Sequence, residues 1–197
     1  MSKVKVAVLI DGGHTRVLAN KEKLPYKPDY IERIAQACVL GEEEALRFLY
    51  YDCAPYRGTV KLPVSGNDHI FDKSDAWLHE LAKKDLFAIR RGVLKFRGWN
   101  PKRIPVSSKT LTDKDFAPNF EQKGVDMRIG LDVATYATSR LVDRLILVSG
   151  DTDCIPAMKL ARIHGVQIVL VTFPKRNVSG ELLAHCDFRR EVNWPKP

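Results

Sequence analysis

At 197 residues with 45% hydrophobic content, the chain can bury one full core and is short for two independent ones. Its four cysteines, Cys38, Cys53, Cys154 and Cys186, are widely spaced and form no CxxC pair, which argues against a zinc site or a disulfide framework and for reduced, mostly buried thiols. No apolar run approaches bilayer length, so a cytoplasmic protein without a membrane partner is expected, and a formal charge of +8 favours an anionic partner.

Residues 4–10 form a nearly continuous apolar strand, ended by Asp11-Gly12-Gly13-His14, residues that tolerate tight turns. Residues 15–27 are polar and basic without a clear pattern. Pro28 opens a helix with Ile31, Ile34, Ala35 and Cys38 on one face, and Gly41 closes it. A second strand covers residues 45–51. Residues 52–74 carry Pro55, Gly58, Pro63, Gly66 and Asn67 and read as a long loop, of the length that lids have. Ser74 caps a helix with Trp77, Leu78, Leu81 and Ala82 on its inner face, and a third strand, residues 87–96, is basic enough through Arg90, Arg91, Lys95 and Arg97 to suggest a sheet edge. A second long loop, residues 98–122, holds Trp99, Phe116 and Phe120 among charges, placed either to stack bases or to pin the loop to the core. Between Ala88 and Arg128 ten Lys or Arg face four acids, a net +6 of the whole +8.

Lys123-Gly124-Val125-Asp126 leads into a helix ending near Ser139, and residues 145–148 form a strand apolar at every position, stopped by Ser149-Gly150-Asp151. Asp151 and Asp153 stand two apart in that turn, so each disfavours the other's charge and a Mg²⁺ or Mn²⁺ ion is the natural compensator. Asp153, followed by Cys154-Ile155-Pro156, reads equally well as a helix cap. A helix to His164, a fifth strand over residues 166–172, a short helix from Ser179 and a terminal strand over residues 188–192 complete one domain spanning residues 1–197. Five strands alternating with helices predict an α/β, doubly wound three-layer sandwich with a central, mostly parallel sheet. Ligands of such sheets bind at the carboxyl edge where the winding reverses. If the first strand lies beside the strand at residues 145–148, Asp11 and Asp151 meet there, and the helix opening at Asp126 brings a third acid. Asp132, six residues on and rotated away from Asp126, is a weaker candidate, more in keeping with a supporting role.

At these residues the sequence resembles the NYN domains of the PIN-like superfamily, over roughly residues 3–192. The resemblance rests on Val8-Leu9-Ile10-Asp11-Gly12, on Lys123-Gly124-Val125-Asp126 with Asp132, and on Val148-Ser149-Gly150-Asp151-Thr152-Asp153. His14 stands where the first motif commonly has Asn, and Cys154 where an aromatic usually follows the last Asp. The resemblance implies a five-stranded PIN-like sheet and a metal-dependent ribonuclease. Asp11, Asp126 and Asp151 are then catalytic ligands of Mg²⁺ or Mn²⁺, with Asp153 binding the metal or positioning water. Lys123, Ser149, Thr152 and His14 become candidates for phosphate or water contacts. Arg90, Lys95 and Arg97 become candidates for holding the backbone of single-stranded RNA.

Two rival functions differ in kind. A haloacid-dehalogenase-like phosphatase needs Asp-x-Asp after the first strand, and here that position reads Asp11-Gly12-Gly13. A regulatory or RNA-binding NYN module would keep the fold and the acids with little or no turnover.

Overall fold

The structure is a computed structural model, and it describes residues 3–106 and 110–196. Its central sheet has seven strands in the order β6-β5-β2-β1-β7-β8-β9: β1 Val4–Asp11, β2 Glu43–Cys53, β5 Phe87–Pro101, β6 Phe116–Lys123, β7 Arg144–Val148, β8 Gln167–Thr172 and β9 Phe188–Glu191. A separate antiparallel hairpin consists of β3 Gly58–Lys61 and β4 Asp68–Phe71. The helices are α1 Gly12–Lys21, α2 Pro28–Ala37, α3 Ala76–Ala82, α4 Val125–Thr138, α5 Ile155–Ile163 and α6 Gly180–Ala184.

The apolar run of β1 is buried on both faces, as its lack of alternation requires. Ala7 and Leu9 pack with Ile129 and Val133 of α4 and Met158 of α5 on one side. Val6, Val8 and Ile10 pack with Ile31 and Ile34 of α2 and Leu78 and Leu81 of α3 on the other. This is the doubly wound three-layer sandwich, and β1 lies parallel to both β2 and β7. From β1 the chain winds outward to β2 in one direction and to β7 in the other, so the reversal falls between β1 and β7.

The structure differs from the sequence expectation in strand number, in the sheet edge and in the long loops. The sheet has seven strands rather than five, because the terminal strand pairs with β8 and because β6 exists. β5 is not the edge: β6 runs antiparallel to its outer half, from Val93↔Lys123 to Pro101↔Phe116. Pro118 removes a ladder donor, which suits β6 to the edge position it takes and also disguised it as loop. Residues 52–74 are therefore not an open lid. Tyr56 and Phe71 of the hairpin segment stack with Phe96 and Phe120 of the β5–β6 ribbon at centroid distances of 5.3–5.9 Å, apart from the Phe71–Phe96 pair at 6.0 Å. Trp99 joins them and donates through its indole Nε1 to the Lys61 carbonyl at 2.8 Å. The aromatics of the second loop thus pin it to the hairpin. Gly12–Lys21 form α1, although residues 12–14 read as a turn and residues 15–27 show no clear pattern.

Candidate metal centre

β1 and β7 end in register, Ile10 beside Val148, so the next residues of each strand emerge together at the carboxyl edge. Asp11 is 8% exposed and caps α1: its Oδ1 accepts from the His14 amide at 3.0 Å, and its Oδ2 accepts from the buried Ser149 hydroxyl at 3.2 Å. Ser149 Oγ also accepts from the Asp151 amide at 3.1 Å, so this one hydroxyl ties the two strand-end acids together. Asp151 Oδ1 accepts from the Asp153 amide at 2.9 Å and caps the short turn Thr152–Cys154. The capping role offered for Asp153 thus falls to Asp151, and the Asp153 side chain is exposed.

Asp126 arrives by a less direct route. An antiparallel strand ordinarily ends at the opposite edge from its parallel neighbours. β5 overshoots β2 beyond the Cys53–Gly92 pair, however, and β6 returns along that overshoot only as far as Val93. The chain is thereby delivered to the carboxyl edge, where Gly124 adopts a left-handed conformation, φ 75°, and opens α4 with Asp126 in its first turn.

Carboxylate oxygens of Asp126, Asp151 and Asp153 lie within 4.8 Å of one another. Asp11 stands outside that triad but lines the same cavity, about 510 Å³, together with His14, Gln122, Asp126, Asp151 and Thr152. Burial and the neighbouring charges of Asp151, Asp11 and Asp153 hold the Asp126 carboxyl above its usual pKa. Among the described residues no Lys, Arg or His forms an ion pair with any of the four acids. An all-oxygen cluster with uncompensated charge fits a hard divalent cation. The His14 ring lies against Gly150, where an added Cβ would stand 2.6 Å from Cε1. Burial lowers the His14 pKa against the pull of Asp11 and Asp151, which favours the neutral imidazole.

The remaining candidates separate clearly. Thr152 lines the cavity, whereas the Ser149 hydroxyl is occupied inside the protein. Asp132 accepts from Tyr51 Oη at 2.9 Å and Arg90 Nε at 2.7 Å, so it fixes α4 to β2 and β5, and Arg90 is neutralised there. Arg97 donates to Glu121 at 2.6 Å, and Lys123 pairs with the same carboxylate. Lys95 is exposed on β5. Of the basic residues between 88 and 128, Arg90, Arg91, Arg97 and Lys123 are thus neutralised by Asp132, Asp75 and Glu121 and are not free to hold a backbone.

Sequence reasoning missed Asp52, although it directly follows an apolar strand, as Asp11 does. Its buried carboxylate takes Arg16 Nη1 at 2.5 Å and Nη2 at 3.2 Å, the Tyr50 hydroxyl at 3.1 Å and Gln122 Nε2 at 3.4 Å. It ties α1, β2 and β6 together behind Gln122, which lines the cavity, and its charge is spent in doing so.

A family model described as the NYN domain matches residues 71–190. The chain belongs to the NYN domain family. That family lies in the PIN-like nuclease superfamily, whose members generally use divalent metals, and NYN domains act on RNA. The matched residues of this NYN domain include the triad Asp126, Asp151 and Asp153, while Asp11 precedes them. A crystal structure of a protein of unknown function from Vibrio parahaemolyticus RIMD 2210633 is similar in fold, with a TM-score of 0.57 at 19% identity over 97% of this chain and 94% of that one. No curated protein matches the chain. Among the described residues no helix is long and apolar enough to cross a membrane.

Proposed function

We propose that this NYN domain hydrolyses phosphodiester bonds of single-stranded RNA, with Asp126, Asp151 and Asp153 holding Mg²⁺ or Mn²⁺ and Asp11 acting beside them. The observation that carries the reading is the triad of carboxylate oxygens within 4.8 Å, standing without a counter-cation at the switch point of the sheet. A bound divalent cation supplies charge compensation, acidifies water and stabilises the charge that develops on phosphate. The protein's part is to hold the acids still. Ser149 and the amides of His14 and Asp153 fix the carboxylates of Asp11 and Asp151, and α4 presents Asp126 from the opposite wall. Asp11, the most buried of the four, orients groups inside the cavity, and exposed Asp153 faces the entering strand. Without a cation, four acids facing a phosphate would repel it.

The reading is tested by incubating purified protein with labelled single-stranded RNA, duplex RNA and single-stranded DNA in Mg²⁺, in Mn²⁺ and in chelator. Cleavage of single-stranded RNA that needs metal is the expected result. Binding of RNA without cleavage under every condition would favour the regulatory-module reading.

A further inference from the structure

A second cavity of about 240 Å³ adjoins the acid site, lying between α1 and the segment after β8. His14 lines both cavities and forms their shared wall. On α1, His14, Leu18 and Lys21 follow at helical spacings of four and three and so lie on one face, and all three line the new cavity. Across from them stand Lys175, Arg176 and Asn177. No acidic residue lines it. Lys21 and Lys175 form no ion pair among the described residues, and Arg176 donates through Nη2 to Glu22 at 2.6 Å while its buried Nε has no hydrogen-bond partner. Lys175 is held at φ 58°, a left-handed conformation that a lysine adopts only under constraint. In the other basic stretch Arg90, Arg91, Arg97 and Lys123 pair with carboxylates, whereas Lys95, Lys102, Arg103, Lys114 and Arg128 form no ion pair among the described residues. Lys21 and Lys175 therefore bring uncompensated positive charge into the cavity that adjoins the acid centre.

We propose that the cavity formed by α1 and the β8–α6 segment is a phosphate subsite, which holds one backbone phosphate of an RNA strand while a neighbouring phosphodiester lies at the acid cluster. Ammonium and guanidinium groups with an amide donor such as Asn177 match a phosphate's charge and acceptor oxygens. The location of the subsite rests on the nuclease reading, but its occupancy by RNA can be measured without turnover.

The test measures equilibrium binding of a labelled single-stranded RNA oligonucleotide to the Asp151→Asn protein, over a range of salt, with inorganic phosphate as competitor. Into that background go Lys21→Ala, Lys175→Gly and the pair together, with Lys159→Ala, at the opposite edge of the sheet, as control. Glycine at position 175 removes the charge and accepts the backbone conformation, so a loss there cannot come from strain. The pair should weaken binding roughly tenfold and lower the salt slope by about one unit, as expected for one lost phosphate contact, with no change for the control. In the cleaving protein the same pair should raise KM and leave kcat. Binding by the pair equal to the control overturns the subsite, as does loss of binding accompanied by a lowered Tm in both single variants. If the pair weakens binding and the wild type cuts nothing, the subsite stands and the nuclease reading falls. If the wild type cuts and the pair binds normally, the reverse holds.

Discussion

Replacing Asp126 by its neutral isostere tests whether the acid triad is built for a cation. Its oxygens and those of Asp151 and Asp153 lie within 4.8 Å of one another, and at that separation two unit charges repel by about 1 kcal/mol in water-like surroundings. Salt at physiological strength screens over about 8 Å and removes roughly half of this. Two such neighbours therefore make Asp126→Asn worth about 1 kcal/mol of relief in metal-free protein. Against that stands the loss of a negative charge in the first turn of α4, about 0.3–1 kcal/mol. The net gain of about 0–1 kcal/mol corresponds to a Tm shift between zero and about +4 °C for a chain of this size. Saturating cation reverses the order: at a hundredfold excess over Kd the wild type gains about 2.7 kcal/mol, or roughly 5–10 °C, and the variant, lacking one of three ligands, gains little. Thermal unfolding of both proteins in chelator and across a Mg²⁺ titration reads both signs. The reasoning fails if Asp126→Asn melts several degrees below wild type in chelator and still shows the full Mg²⁺ shift.

Three further outcomes follow from packing and charge. Burial opposes ionisation of Glu43, but Arg190, the Leu40 amide and Arg144 outweigh it and lower its pKa, so its contribution to stability is present above about pH 4.3 and lost as pH falls through the depressed value; denaturant unfolding of Glu43→Gln should differ most from wild type near pH 7, and a difference constant down to pH 3 would refute this. Arg16→Met strands the Asp52 carboxylate, whose side chain is 0% exposed, and should destabilise by about 2–3 kcal/mol, at the low end for a broken buried pair because Arg16 is itself 34% exposed; adding Asp52→Asn should restore part of the loss, and no restoration would mean that the pair is not the cause. Gly92→Ala would set a Cβ 2.8 Å from the Lys123 carbonyl oxygen and 2.9 Å from Cys53 Sγ, so it should cost about 1–3 kcal/mol and weaken the Mg²⁺ response by displacing the junction that carries Asp126; an unchanged metal response would separate that junction from the site.

The parts of the fold that were legible are those whose burial leaves a local pattern. β1 and β7 are apolar at successive positions because helices cover both faces, and the acids at their ends are conspicuous for interrupting such runs. α1 has no such pattern: Val17 is exposed and only Gly12, Thr15 and Ala19 are buried, so nothing apolar recurs at helical spacing. β6 looks like loop because it contains Pro118 and no fully buried residue, so neither an apolar run nor a clean alternation marks it. Charge pairing was illegible for a different reason. Asp132 is 42 residues from Arg90, Asp75 is 16 from Arg91 and Glu121 is 24 from Arg97, so the basic segment reads as free charge until the chain is folded. A separation of 36 residues likewise hides Arg16 from Asp52.

Metal-dependent chemistry on RNA by the carboxylates at the switch point is decided by cleavage of labelled single-stranded RNA with wild type and Asp151→Asn, purified identically and assayed side by side in Mg²⁺, Mn²⁺ and chelator. Wild type should cut only with a divalent cation, and Asp151→Asn should not cut although it still binds the RNA. Equal cutting by the two proteins, or cutting by wild type undiminished in chelator, would contradict that chemistry.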